Sequence, residues 1–184
     1  MGIFATQIVF VSGQMVPNVT PVLDEELHPE TVILCATDAM HARSKDLAVF
    51  FESKGLVAEI VRIGEAYDFK ELQDRMLELA GRFDEPKNVG VNLTGGTKLI
   101  TIAAQMVFRD NGFACFYVIP QKDQVLVLGP GPLMRREIQN RISLADYFSI
   151  HGYSVLSGRK KGPTPAANTL FKDFIQQFDR FAPA

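Results

Sequence analysis

The chain lacks the features of an exported or membrane protein. Its 184 residues contain no apolar run long enough to span a bilayer, and no basic segment with a signal-type apolar core begins it. The two cysteines, Cys35 and Cys115, have no histidine or third cysteine at metal-ligand spacing. We therefore expect a cytoplasmic protein with two buried thiols and no disulfide.

A basic excess is also missing. The 19 Lys and Arg residues against 21 Asp and Glu residues give a net charge of −2 and a pI near 5.9. Proteins that bind duplexes usually carry a basic stripe, so the composition disfavours direct binding of duplex DNA or RNA and leaves a small anionic ligand open. Hydrophobic residues make up 47% of the chain, which suits one globular domain with a short appendage.

Short apolar segments alternate with helical patterns along the first 128 residues. They predict six strands with helices between the first five. Thr20 and Pro21 have the residue types of a helix N-cap and first turn, which predicts the start of the first helix there. Only Pro120 to Asp123 separate the last two strands, which requires an antiparallel hairpin. The predicted fold class is α/β: a Rossmann-like, mostly parallel sheet with helices on both faces and an antiparallel C-terminal hairpin edge.

The pattern changes after residue 128. The spacing of Ser143 and Asp146 predicts a short capped helix, and residues 158–165 have the composition of a linker. Residues 170–178 carry a helical apolar stripe that would fold back, pack on a second subunit, or belong to a domain absent from this chain. We predict a domain over residues 1–155, then a linker and amphipathic helix over residues 156–184 that could begin a missing effector region.

Two strand exits have polar, glycine-containing sequences. One covers residues 12–18 after the first strand, and the other covers residues 92–98 after the fourth strand. In the common strand order 3-2-1-4-5 these two strands are neighbours at the point where the order reverses, which is where open α/β sheets bind ligands. The sequence therefore predicts a ligand site at the two exits.

The residues of the exits suit an anionic, hydrogen-bonding ligand. Gly95-Gly96 lets the backbone approach a ligand, Thr97 opens a helix with free N–H groups, and Lys98 adds an ammonium. Gln14 and Asn18 offer amides for base edges or ribose hydroxyls. The alternatives are a merely tight βα turn for the glycines and local turn bonds for the amides.

Enzyme motifs are missing. The sequence has no Walker A loop and no complete G-x-G-x-x-G, which disfavours ATP hydrolysis and ordinary NAD binding. His28, His41 and His151 have no nucleophile or carboxylate at motif spacing, and we interpret them as surface residues. Thr37 follows the second strand and could flank the crevice or only cap a helix. The sequence therefore favours a binding protein, without metal or cofactor, over an enzyme.

Three segments resemble a known family: Val11-Ser-Gly-Gln-Met-Val-Pro-Asn18, Val91-Asn-Leu-Thr-Gly-Gly-Thr-Lys98 and Arg141-Ile-Ser-Leu-Ala-Asp-Tyr147. They are similar to CARF domains, the CRISPR-associated Rossmann folds. The likeness is to the branch that forms the N-terminal half of CRISPR DNases activated by cyclic oligoadenylate. It extends over roughly residues 6 to 155.

The resemblance implies a homodimer with a shared pocket for cyclic tetra-adenylate, the second messenger of type III CRISPR antiviral signalling. It implies base or ribose contacts for Gln14 and Asn18, an adenine pocket bordered by Thr37, and phosphate contacts for residues 94–98. The apolar helix after Lys98 would pack on the sheet and on the partner subunit. The expected ligand-binding residues are Ser12, Gln14, Met15, Asn18, Thr37, Asn92, Thr94, Gly95, Gly96, Thr97 and Lys98.

The resemblance leaves the output open. Members of this branch continue into a winged-helix element and a metal-dependent nuclease domain, whereas this sequence ends at Ala184, so we expect either a fragment or a stand-alone sensor. Some CARF proteins cleave their own ligand without a metal, by aligning a ribose 2′-hydroxyl on the neighbouring phosphate. A ring nuclease and an unrelated nucleotide-binding α/β protein are therefore the alternatives to a pure sensor.

Overall fold

A computed structural model describes residues 2–128, 133–140 and 142–153 of the chain. The strands within these ranges are β1 (Thr6–Phe10), β2 (Thr31–Ala36), β3 (Val57–Arg62), β4 (Val89–Asn92), β5 (Ala114–Ile119), β6 (Gln124–Leu128) and β7 (Met134–Glu137). The α-helices are α1 (Val16–Leu23), α2 (His41–Ser53), α3 (Phe69–Ala80), α4 (Lys98–Asp110) and α5 (Leu144–Ile150). Short 3₁₀ turns lie at Asp38–Met40, Pro86–Asn88 and Pro120–Lys122.

The strands form one sheet in the order β3-β2-β1-β4-β5-β6-β7. The first five strands in this order are parallel, and β6 and β7 each pair antiparallel with the strand before them. The predicted α/β fold, with its mostly parallel sheet and antiparallel edge, is confirmed. The predicted reversal of strand order between β1 and β4 is also confirmed.

The sheet has helices on both faces, because its apolar strands alternate their side chains between two cores. One core joins the sheet to α3 and α4 through Leu72, Met76, Ala103 and Phe108. The other joins it to α1, α2 and α5 through Val19, Leu47, Phe51 and Ile150. The strands that carry the site are therefore held from both sides.

Strand β7 was not predicted, and its sequence explains why. Met134–Glu137 reads MRRE and is mostly exposed at the edge of the sheet. Edge strands often carry charged residues, which blocks pairing with other chains but also removes the apolar alternation that marks a strand. The antiparallel edge therefore has three strands rather than the two of a hairpin.

Helix α1 begins at Val16, so the predicted start at Thr20 and Pro21 is wrong. Pro17 lies in the first turn, where its missing N–H is not needed, and Pro21 lies inside the helix. Pro21 also leaves the carbonyl of Pro17 without its usual helical donor. The Nδ2 atom of Asn92 donates to that oxygen at 3.1 Å, so a residue of β4 completes the helix.

Helix α4 has one buried and one exposed apolar face. Ile100, Ala103, Ala104 and Phe108 are buried against the sheet and α3. Ile102 and Met106, one turn apart, are 49% and 47% exposed. The resemblance implied that α4 would pack both on the sheet and on a partner subunit. Within the described part of the single chain, only the face toward the sheet and α3 is covered.

Helix α5 confirms the predicted cap. The Ser143 hydroxyl accepts from the Asp146 N–H, and the Asp146 carboxylate accepts from the Ser143 N–H. Asp146 also pairs with Lys54, the C-cap residue of α2, at 2.6 Å. Burial opposes ionisation of Asp146, but the hydrogen bonds from Lys54 and Ser143 outweigh it and lower the pKa of the carboxyl. These contacts, with buried Ile150, fix α5 against α2.

Both cysteines are buried in the sheet. Cys35 is 1% exposed and Cys115 is fully buried, and neither forms a disulfide. Burial raises the pKa of the Cys115 thiol to about 12 and raises the pKa of Cys35 as well. Within the described ranges, no helix has the length and hydropathy to cross a membrane.

Backbone contacts divide the chain into two units, Met1–Ser154 and Val155–Ala184. The glycine- and proline-rich segment 129–132, the predicted linker over residues 158–165 and the apolar stripe over residues 170–178 lie outside the described residues. The predicted domain boundary at residue 155 therefore stays a prediction.

Candidate functional site

Two loops meet at the carboxyl edge of the sheet. We call residues 11–15 the β1 loop and residues 93–97 the β4 loop. Strands β1 and β4 are paired, with Val9 opposite Asn92. The helices that follow these strands, α1 and α4, pack on opposite faces of the sheet. A crevice between diverging loops is the usual ligand site of such a sheet, and the structure brings the two predicted exits together there.

Asn92 is fully buried, and its side chain links the first turn of α1 to the β4 loop. Besides donating to the Pro17 carbonyl, its side chain accepts from the N–H of Thr94 at 3.0 Å. The Thr94 hydroxyl in turn accepts from the N–H of Val118 at 2.8 Å, which ties the β4 loop to β5. The position of the β4 loop is therefore fixed by hydrogen bonds from both sides.

Gly95 fits where no other residue does. A Cβ added there would lie 2.0 Å from the carbonyl oxygen of Phe10 and 2.8 Å from the amide atoms of Asn18. Gly96 has a φ of +83°, and a Cβ there would lie 2.9 Å from Ile100 Cγ2. The structural explanation of the glycine pair therefore holds at both positions, since the turn itself requires them.

Thr97 and Lys98 form the start of α4. Thr97 is the N-cap, because its hydroxyl accepts from the Ile100 N–H at 3.3 Å, and Lys98 is the first helical residue. The N–H groups of the first turn have no helical partner, and they carry the positive end of the helix dipole. Lys98 is exposed and forms no ion pair within the described part of the chain. This end of α4 is suited to bind an anion.

The β1 loop is more open. Gly13 and Gln14 are exposed, and the Ser12 hydroxyl donates to the carbonyl of Gln14 at 3.3 Å. Met15 is only 3% exposed and packs in the core. Gln14 is thus the side chain of this loop with an amide free to reach a ligand.

Asn18 and Thr37 lie inside the protein. Asn18 is fully buried in α1, and its Nδ2 atom donates to the Phe10 carbonyl at 3.0 Å. Thr37 is 8% exposed and precedes the Asp38–Met40 turn, but its hydroxyl forms no cap bond. Of the predicted ligand-binding residues, those that keep exposed surface are Ser12, Gln14, Thr94, Gly96, Thr97 and Lys98. Whether any of the predicted residues contacts a ligand stays a prediction.

Arg43 was missed by the sequence reasoning. Its Nη1 atom lies 3.0 Å from the place where a Cβ of Gly13 would stand, so the guanidinium lies against the β1 loop. Arg43 is exposed and, among the described residues, has no carboxylate partner. A cation in the first turn of a helix is unfavourable, because the helix dipole is positive at that end. The presence of an arginine at the start of α2 is therefore the sequence signal that could have identified Arg43.

The site offers binding groups rather than catalytic ones. It presents two cations, backbone N–H groups, hydroxyls and one amide. Nowhere in the described ranges do three or more His, Cys, Asp or Glu side chains cluster as metal ligands would. Such a set binds an anionic ligand with hydrogen-bonding groups.

Comparison with solved structures supports the fold. Protein VC1899 from Vibrio cholerae has a TM-score of 0.74 at 22% identity, and the match covers 80% of this chain and 39% of the VC1899 chain. Can2 from Sulfobacillus thermosulfidooxidans, in complex with cyclic tetra-adenylate, has a TM-score of 0.70 at 24% identity, covering 96% of this chain and 47% of its own.

A type III CRISPR defence DNA nuclease activated by cyclic oligoadenylate has a TM-score of 0.68 at 24% identity, covering 96% of this chain and 28% of its own. The chain thus spans less than half the length of each of these proteins. No curated protein matches it in sequence.

The family comparison agrees with the architecture and with the two loops. The family model described as the Card1 CARF domain matches residues 6–147, which includes the sheet, both loops and the start of α5. Because this match extends over most of the chain, the protein belongs to the family of Card1 CARF domains.

Proposed function

We propose that this chain is a sensor module that binds cyclic tetra-adenylate in the cytoplasm, as part of type III CRISPR antiviral signalling. The observation that carries the proposal is the position of Arg43 and Lys98, exposed cations beside the two loops at the carboxyl edge. A ring of phosphodiesters needs such charge. The choice of ligand is supported by family membership and by two structural neighbours described as bound to, or activated by, cyclic oligoadenylates.

The exposed residues take the ligand in this proposal. Lys98 and the free N–H groups of α4 hold one phosphate, and Arg43 holds another. Gln14 hydrogen-bonds a base edge or a ribose hydroxyl. The buried residues Asn18 and Asn92 maintain the loops instead of touching the ligand.

A homodimer is part of the proposal. A ring of four equal units has two-fold symmetry, so two copies of one surface contact it better than one copy does. Ile102 and Met106 give α4 an exposed apolar face beside Lys98. Pairing of this face between two chains would bring two Lys98 side chains to one ring.

The ligand test uses radiolabelled cyclic tetra-adenylate and, in parallel, cyclic hexa-adenylate. The protein is incubated with each ring, separated by filter binding, and the bound nucleotide is analysed by chromatography. Recovery of intact cyclic tetra-adenylate supports a sensor, and recovery of linear products instead makes the chain a ring nuclease. Absence of binding at tens of micromolar protein would refute the proposal, and preference for the larger ring would correct the ring size.

The dimer test uses light scattering at micromolar concentration. We expect twice the 20.4 kDa mass of the chain, because a stable interface buries on the order of 1,000 Å² or more. Ile102→Glu should give the monomer, since it places a charge in the apolar face. Leu77→Glu is the matched control: Leu77 is 55% exposed on α3, and this variant should stay dimeric. A monomeric wild type would refute the dimer.

A further inference from the structure

The peptide between Gly95 and Gly96 is held by a residue that lies outside both loops. The hydroxyl of Thr101, a half-buried residue of α4, donates to the carbonyl oxygen of Gly95 at 3.2 Å. A threonine hydroxyl in a helix usually bonds the carbonyl three or four residues before it. This hydroxyl reaches back six residues, past the start of α4 at Lys98. The bond therefore fixes the β4 loop and not the helix.

The direction of this hydrogen bond decides where the next N–H group points. Thr101 lies further along α4 than Lys98, so the Gly95 carbonyl is directed along the helix, from its start toward its end. The peptide is trans, and in a trans peptide the C=O and the N–H point in opposite directions. The N–H of Gly96 is therefore directed out of the start of α4, into the space where an anion would bind.

The N–H of Gly96 is available to a ligand. Among the described residues it has no hydrogen-bond acceptor, although Gly96 is half-buried. The peptide also has the orientation of the peptides within α4, whose carbonyls point toward the end of the helix. The Gly96 N–H thus adds one donor to the free N–H groups of the first turn, in front of them along the helix axis.

Without the Thr101 hydroxyl this peptide could turn over. Rotating a peptide by half a turn changes chiefly the ψ of the residue before it and the φ of the residue after it. Gly96 has a φ of +83°, and glycine adopts negative φ values about as readily. The rotated peptide would present the Gly95 carbonyl oxygen to the anion and repel it. A peptide between two glycines therefore needs a contact that holds one orientation, and Thr101 supplies that contact.

We propose that Thr101 is a positioning residue: its hydroxyl holds the peptide so that the Gly96 N–H faces a phosphate, and Thr101 itself does not touch the ligand. This inference rests on the proposed function, since the phosphate would belong to the cyclic tetra-adenylate ring. Lys98 attracts the same phosphate by its charge, which salt screens. The Gly96 N–H acts as an oriented dipole at hydrogen-bond distance. The two contributions can therefore be separated by their dependence on salt.

The first experiment measures cyclic tetra-adenylate binding by calorimetry at low and high salt. Thr101→Val keeps the side-chain shape but removes the hydroxyl, and it should weaken binding by about 2- to 10-fold, the effect of one lost hydrogen bond. Its salt dependence should equal that of the wild type, whereas Lys98→Ala should reduce the salt dependence. Thr101→Ser retains the hydroxyl and should bind as the wild type does.

Ser53→Ala is the matched control for a lost hydroxyl. The Ser53 hydroxyl donates to the Phe50 carbonyl at 2.6 Å near the end of α2, so its removal also breaks a bond from a hydroxyl to the backbone. This variant should bind the ring with full affinity. Unchanged affinity in Thr101→Val, while the wild type binds the ring, would overturn the positioning role and leave the proposed function intact.

The second experiment observes the Gly96 N–H directly. Millimolar inorganic pyrophosphate is added to ¹⁵N-labelled protein, because an amide proton that donates to a phosphate oxygen shifts downfield. We expect a downfield shift at Gly96 in the wild type and in Thr101→Ser, and a clearly smaller one in Thr101→Val. Equal shifts in all three proteins, or no shift in a wild type that binds the ring, would overturn the positioning role. The expected pattern in a protein that does not bind cyclic tetra-adenylate would support the role of Thr101 and refute the proposed function.

Discussion

The two loops of the site are built in opposite ways. The β4 loop is fixed by half-buried hydrogen bonds: Thr94 donates to Asn92 and accepts from Val118, and Thr101 donates to the carbonyl of Gly95. Gly95 also lies directly against the backbone of β1. The β1 loop has a hydrogen bond within the loop, from Ser12, and its Gly13 faces the movable end of Arg43. The comparison shows one site in which the β4 loop is held by hydrogen bonds along its length, whereas Gly13 and Gln14 form an open, exposed tip of the β1 loop. Preformed groups bind an anion with little ordering cost, while an open loop can adapt to the rest of the ligand.

The largest difference is expected between the two loop glycines. Gly95→Ala places a Cβ within 2.0 Å of a carbonyl oxygen, so the variant should fail to fold or lose about 4 kcal/mol of stability. Gly13→Ala meets Arg43 Nη1 at 3.0 Å, and the end of that long side chain can move, so the loss should stay below about 1 kcal/mol. Urea unfolding followed by circular dichroism measures both. Equal losses would show that the β4 loop is no more rigid than the β1 loop.

A smaller difference is expected between the two amides. Asn92→Ala leaves the buried Pro17 carbonyl and the half-buried Thr94 N–H without these partners, which should cost about 2–3 kcal/mol. Gln14→Ala removes an exposed side chain and should change stability by less than about 0.5 kcal/mol. The same unfolding experiment applies. If Asn92→Ala were as stable as the wild type, the hydrogen bonds of Asn92 to α1 and to the β4 loop would not contribute to stability.

The smallest effect concerns binding rather than stability. In the proposed site, Lys98→Ala would remove one charge-assisted hydrogen bond to a phosphate and should weaken cyclic tetra-adenylate binding about 10- to 150-fold, with the melting temperature unchanged. Lys45→Ala, on the exposed surface of α2, is the control and should bind normally. Titration calorimetry gives the affinities. Full affinity in Lys98→Ala would remove this lysine from the site.

Gly96 does not serve as a probe of ligand contact. Its φ of +83° and the nearby Ile100 side chain mean that any substitution changes the turn itself. A loss of binding in such a variant would report the shape of the β4 loop and not a contact at position 96.

The topology of the sheet could be predicted because it depends on features that are local in sequence. The four residues between β5 and β6 exclude a crossover helix, and the alternation of strands and helices fixes parallel pairing before that point. The α5 cap was predictable for the same reason, because Ser143 and Asp146 are three residues apart. Each of these signals lies within a short stretch of chain.

The detail of the site depends on packing across the fold, which a short segment does not contain. Gln14 and Asn18 carry the same amide group four residues apart, yet Gln14 is exposed and Asn18 is fully buried. The start of α1 at Val16 was not predicted, because Thr20 and Pro21 have the residue types that usually begin a helix. Asn92, 75 residues from Pro17 in sequence, supplies the donor that Pro21 lacks.

The burial of the two thiols makes the protein convenient for site-selective labelling. Thiol reagents react with exposed thiolate, and both native cysteines are buried with raised pKa values. In a Gln14→Cys variant the introduced thiol would be the reactive one, because position 14 is exposed in the β1 loop. A small environment-sensitive fluorophore attached there would change its fluorescence when the β1 loop moves. It would therefore give a direct optical assay for nucleotide binding.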